Sequence, residues 1–163
     1  MLHEAPRFLI AIEQSGIAAV IREATWAYPA ANVGHILALT LFAASVGVMD
    51  LRILGAFPGT RPAHVVYPAR RGAMLGLALM ALTGLVLFAA EASHVAMNGV
   101  FQIKAALIGL GILNALLIAG PALAGLGELP VNASLPARAR VAAAISLLIW
   151  LSVAACGRLI AYF

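Results

Sequence analysis

The run Pro29-Ala-Ala-Asn-Val-Gly-His35-Ile-Leu-Ala-Leu-Thr-Leu-Phe-Ala-Ala-Ser-Val-Gly-Val-Met49 decides how this chain is read. A helix crosses a bilayer in about 20 residues. This run is that long, and its one ionisable side chain is His35. An ionisable group at membrane depth is costly and usually has a partner or a task. Three further apolar runs follow, over residues 72–92, 101–124 and 138–162.

Composition agrees with lipid as the solvent. The chain is 64% hydrophobic and 10% charged, against about 25% charged in soluble domains. A core cannot absorb the difference, because a chain of 163 residues still exposes much of its surface. The net charge of +4 is spread over segment ends and loops, with no basic stripe, so no nucleic-acid partner is expected. Cys156 is the one cysteine, which excludes an intrachain disulfide and any Cys-x-x-Cys motif. It reads as a small buried hydrophobe in the fourth run. The start, Met1-Leu-His-Glu-Ala-Pro-Arg-Phe8, lacks a basic region before an apolar core, so no cleaved signal peptide is expected.

Residues 5–23 read as a helix that lies along the membrane interface rather than across it. Pro6 suits a first helical turn, and Phe8, Leu9, Ile12, Ile17, Val20 and Ile21 are interrupted by Arg7, Glu13, Gln14, Arg22 and Glu23. Gly16 is a point where it can bend. Trp26 and Tyr28 mark the headgroup level before the first span. The connectors, residues 52–71 and 125–137, are rich in Gly and Pro. Glycines such as Gly34, Gly76, Gly84 and Gly111 let membrane helices approach closely. The fold class is therefore an all-α integral membrane protein: a four-helix up-down bundle, one membrane domain over residues 1–163, preceded by an interfacial amphipathic helix.

The arginines set the expected orientation. Arg52, Arg61, Arg70, Arg71, Arg138 and Arg140 lie in or beside the first and third connectors, which places these in the cytoplasm. Both termini then face the periplasmic side of a bacterial inner membrane. His35 lies roughly 9 Å below the start of span 1 at about 1.5 Å per residue. Span 2 returns to the same side and brings Glu91 and His94; span 3 starts there with Lys104. His64 falls on the opposite side, and His64 and His3 read as solvated surface residues. Asp50 and Arg52 are expected to cap span 1 or pair locally. Arg158 is expected to snorkel, and Asn114 to hydrogen-bond between helices.

Two neutral imidazoles on facing helices can hold a haem iron. The candidate ligands are His35 and His94, with Lys104 meeting haem propionates and Gly34 making room. The pair faces itself only if the second helix runs on through His94. A hydrogen-bonded His35 with no cofactor, an interfacial loop His94 and a snorkelling Lys104 account for the same residues. A copper site from His35, His94 and Met97 is a further possibility. No Ser or Cys nucleophile stands in a hydrolase motif.

The pattern Trp26-x-Tyr28-Pro29, His35, Asp50-Leu-Arg52-x-x-Gly55, Phe101-x-x-Lys104 and Asn114 resembles a family of small bacterial four-span membrane proteins without an assigned activity. The resemblance implies an inner-membrane protein with a recurrent histidine at 35 and lysine at 104. The layout also looks like small four-helix b-type cytochromes, a likeness of fold only. The leading functional expectation is a haem-b-binding electron-transfer subunit, serving quinone or a larger membrane complex, rather than a stand-alone enzyme. The alternatives are a non-catalytic subunit or scaffold of such a complex, and a small transporter or copper-handling protein that would need a homo-oligomer.

Overall fold

Ser15 divides the expected interfacial helix in two. Its side chain accepts from the Ala18 amide at 3.3 Å and caps a new helix, so α1 (Arg7–Glu13) and α2 (Gly16–Glu23) are separate. The break falls beside Gly16, where a bend was expected. The structure, a computed structural model, describes residues 5–163. His3 lies outside the described residues.

The long helices follow the apolar runs and overrun them. Helix α3 spans Ala27–Leu54. It stops at Gly55, whose φ of 118° is left-handed; the Gly55 and Ala56 amides close the end on the Arg52 and Leu51 carbonyls. Helix α4 spans Pro62–Ala90 and contains Pro68. The expected connector over residues 52–71 is therefore half helix. Pro62 opens α4 at its first position, where no N–H is needed. Pro68 leaves only the His64 carbonyl without its helical donor, and His64 is exposed at the helix end.

Helix α4 ends before Glu91, whose backbone (φ −141°, ψ 40°) is not helical. A short α5 (Ala92–Met97) then leads to α6 (Gly99–Leu113), which Asn98 caps by accepting from the Val100 and Phe101 amides. The third span continues as a π-helical turn, Asn114–Ala119, and a last short turn, α7 (Gly120–Ala122). Pro121 explains the widening: its ring would clash with the carbonyl four residues back and it has no amide to donate. The last span is α8 (Ala137–Leu159), extended to Tyr162 by a 3-10 turn.

Four helical segments among the described residues, Ala27–Leu54, Pro62–Ala90, Gly99–Ala122 and Ala137–Tyr162, are long and apolar enough to cross a membrane. Large apolar side chains such as Leu37, Leu82, Leu116 and Leu148 are exposed along them, which suits a surface facing lipid chains. The packing runs α4 on α3, α3 on α8, and α8 on α6. Helices α4 and α6 meet at their linked ends, where Phe88 stacks on Phe101 with centroids 5.6 Å apart. At the opposite, loop end, Ile53, Val66, Leu126, Leu135 and Ala139 form a buried cluster.

The α3–α4 seam depends on absent side chains. A Cβ on Gly76 would lie 2.8 Å from the Phe42 amide nitrogen, and one on Gly72 would meet Ser45 Oγ at 2.5 Å. Only glycine lets the two backbones come this close. Helices α1 and α2 cover the terminal end of the bundle. The Ser93 amide donates to Glu13 Oε2 at 2.9 Å, and its hydroxyl donates to the same oxygen. Arg22 donates to the Glu13 carbonyl at 2.7 Å and to the Ala90 carbonyl at 3.1 Å, serving two helix ends that lack donors.

Candidate functional site

His35 lies half-buried in α3, facing α4. Its Nδ1 is 2.8 Å from Thr83 Oγ1. The Thr83 hydroxyl has one proton to give, and it donates to the Leu79 carbonyl at 2.7 Å. Nδ1 therefore carries the ring proton and donates to Thr83. A neutral imidazole with its proton on Nδ1 has its free lone pair on Nε2.

The ring is seated on glycine. A Cβ at Gly84 would lie 3.3 Å from His35 Cε1, tighter than most carbon contacts. The space was expected from Gly34, next to His35. Gly34 instead faces the methyl of Thr83, 3.4 Å from where its Cβ would be. The residue that clears the ring comes from the partner helix.

Lys104 belongs to the same end. It is half-buried in α6, and its Nζ lies 3.5 Å from the position of a Cβ on Gly157 of α8. Its charge lies within reach of the His35 ring, and Cys156 is the residue before Gly157 on α8. So α3, α4, α6 and α8 bring His35, Thr83, Lys104 and Cys156 to one depth, away from the loop end.

His94 stands apart. The helix does not run on from α4, and His94 sits exposed on α5. The charge it influences is that of Glu13 on α1. The condition under which His35 and His94 would face each other is not met. Glu91 is also exposed, at the break itself. Outside the spans, Glu13 is held below the ordinary carboxylate range, first by the Ser93 hydroxyl, then by the Ser93 amide, with smaller help from Arg22 and His94. His64 is exposed at the loop end, as expected. Arg158, exposed near the end of the last span, lies over the Tyr162 ring, 4.8 Å from its centroid. Among the described residues no three His, Cys, Asp or Glu side chains form a metal-holding group.

Two features lay beyond the expectations. Asp50 and Arg52 neither cap the span nor pair with each other: α3 runs past both, and they are 2% and 1% exposed. The connectors fold over Arg52 and α8 packs against Asp50, which no local pattern announces. Ser146 of α8 lies beside Asp50, and Arg52 donates to the Thr60 carbonyl at 2.7 Å. The second feature is an apolar groove of about 200 Å³, lined by Met74 and Leu77 of α4, Ala115 and Ala119 of the π turn, and Ser146 and Trp150 of α8. Asn114 behaves as expected and donates to the Ala142 carbonyl at 2.9 Å across the helix interface.

Fold and site together define a multi-pass helical membrane protein with a histidine held at membrane depth by a threonine of the neighbouring span. Residues 17–163 match DUF6644, a family of unknown function, and the chain belongs to that family. No curated protein and no solved structure matches it.

Proposed function

We propose that this chain is a small b-type haem-binding electron-transfer subunit of the bacterial inner membrane, with His35 as the axial ligand. One observation carries the proposal: Thr83 Oγ1 accepts a hydrogen bond from His35 Nδ1, which leaves the Nε2 lone pair free for a metal. Metal-binding histidines almost always donate their other ring N–H to a fixed acceptor, which sets the tautomer and orients the ring. Haem would supply one-electron redox chemistry. Gly84 leaves the space that the ring needs against α4. Lys104, a cation at the same end, suits a propionate carboxylate.

His94 enters only as an exposed histidine at that end. The proposal therefore rests on one histidine from this chain, within the layout that resembles small four-helix b-type cytochromes. The arginines of the connectors favour the loop end in the cytoplasm, with His35 and both termini toward the periplasm. Electrons would then pass between an outer-side donor and quinone or a larger membrane complex.

The test is optical. The full chain, purified in detergent from haem-replete cells, is expected to show a Soret band that shifts on reduction. A colourless, correctly folded protein refutes the proposal. It would favour the second reading, a non-catalytic subunit of a larger complex, for which the groove between α4 and the π turn offers an apolar face. A copper-handling role with Met97 has less support, because His94 sits exposed on α5, apart from His35, and no group of three His, Cys, Asp or Glu forms among the described residues.

A further inference from the structure

Arg52 is a buried cation with no anion paired to it among the described residues. It is 1% exposed, its Nη2 donates to the Thr60 carbonyl, and its Nε has no partner among the described residues. A guanidinium cannot shed its charge in a protein, so burial without a counter-charge is strongly unfavourable. Asp50 does not answer it. Two residues apart on a helix, the side chains point to different sides, and Asp50 Oδ2 is itself without a partner, beside Ser146.

Arg52 lies in the wall of a pocket of about 240 Å³ at the loop end. Its walls are the end of α3 from Ile53 to Gly55, the stretch Ala133 to Leu135, and Arg140 of α8. A water occupies about 30 Å³ of liquid, so the pocket has room for a phosphate group. Arg140 and Ser134, both exposed, belong to the same lining and are the further groups able to bind an anion there. Helix α8 starts two residues beyond Leu135 with no side-chain cap, so its positive end adds to the attraction. The connectors that form the pocket are tied together where the Asn132 amide donates to the Pro58 carbonyl at 3.2 Å.

We propose that this pocket binds a phosphate group, held between Arg52 and Arg140. Paired guanidinium groups match phosphate oxygens in geometry and charge. The pocket lies at the end of the spans, where phosphate arrives either as the headgroup of an anionic lipid or as free inorganic phosphate. The inference is independent of haem binding.

The experiment uses the full chain in detergent. Native mass spectrometry compares retention of phosphatidylglycerol with phosphatidylcholine, and calorimetry titrates inorganic phosphate. Preferred retention of phosphatidylglycerol identifies a lipid headgroup; binding of inorganic phosphate alone identifies the free anion. In either case Arg140→Ala, an exposed and structurally mild change, is expected to weaken binding about tenfold, the loss of one charge-assisted contact. Arg52→Lys keeps the charge, removes Nε and is expected to weaken it comparably. If that variant does not fold, Arg140→Ala decides alone. Failure to bind either source, or unchanged binding by Arg140→Ala, overturns the proposal.

Discussion

The two helix pairs of this bundle are built differently. Helices α3 and α4 share a seam where Gly72, Gly76 and Gly84 bring backbones and the His35 ring into direct contact. The third span and α8 meet through larger groups: Trp150 packs against Gly111, where a Cβ would lie 2.7 Å from its ring, and Asn114 reaches the Ala142 carbonyl. Pro121 widens the third span into a π turn beside this second interface, and the groove opens there. The tight pair can hold a ring nitrogen in one orientation. The loose pair leaves apolar volume. Precision at a site follows from backbone approach, and a proline near a span's end is enough to forfeit it.

Gly76→Leu attacks the tight seam and should have the largest effect. The added carbons would collide with the Phe42 backbone, which cannot move aside as a flexible side chain can. The expected loss is roughly 3 kcal/mol, read as a drop in thermal unfolding temperature in detergent. An unchanged temperature would show that α3 and α4 are not packed this closely. Thr83→Val keeps the shape of the seam and removes the acceptor for His35 Nδ1. Losing such an outer-shell partner typically costs about 10- to 100-fold in metal-site affinity. Haem titration should show that loss, with a fall in unfolding temperature smaller than that of Gly76→Leu, of the size of one interhelical hydrogen bond.

Asn114→Leu tests the loose interface. One interhelical hydrogen bond in a membrane is worth about 0.6–2 kcal/mol. The variant also removes Oδ1, a buried acceptor without a partner, so the net change should fall at the low end. A loss as large as that of Gly76→Leu would erase the distinction between the two pairs.

Much of this architecture was legible in the sequence, and the omissions have physical causes. The four spans follow from uninterrupted apolar runs. The start of α4 does not, because Tyr67-Pro68 reads as a turn although a proline costs a helix little near its exposed first turns. Pro121 marks the end of a span in sequence but not the π turn before it. His35 was recognisable; its partner could have been. His35 lies eight residues in from Ala27, and Thr83 seven in from Ala90 on the antiparallel neighbour. Equal depth was the available signal. The burial of Arg52 depends on two distant connectors folding over one helix end, and that of Asp50 on the approach of α8; sequence spacing says nothing of either.

The smallest expected effect concerns the cover over the terminal end. Glu13 is held below its ordinary range by Ser93. A carboxylate whose folded value is depressed contributes stability that is complete above its unfolded value and is lost as pH falls through the folded one. The α1–α5 contact should therefore be firm at neutral pH and loosen only in acid below the usual carboxylate range. Hydrogen exchange at the Ser93 amide reads this directly. Glu13→Gln should raise the exchange at neutral pH and flatten its acid dependence, and equal exchange in both proteins would contradict the contact.

The most direct test of the central claim is the haem-to-protein ratio of the wild type, His35→Ala and His94→Ala, purified side by side in detergent. Coordination by His35 through a threonine-fixed tautomer predicts haem in the wild type and in His94→Ala, and none in His35→Ala. Haem retained by His35→Ala, or a wild type that binds none, would contradict it.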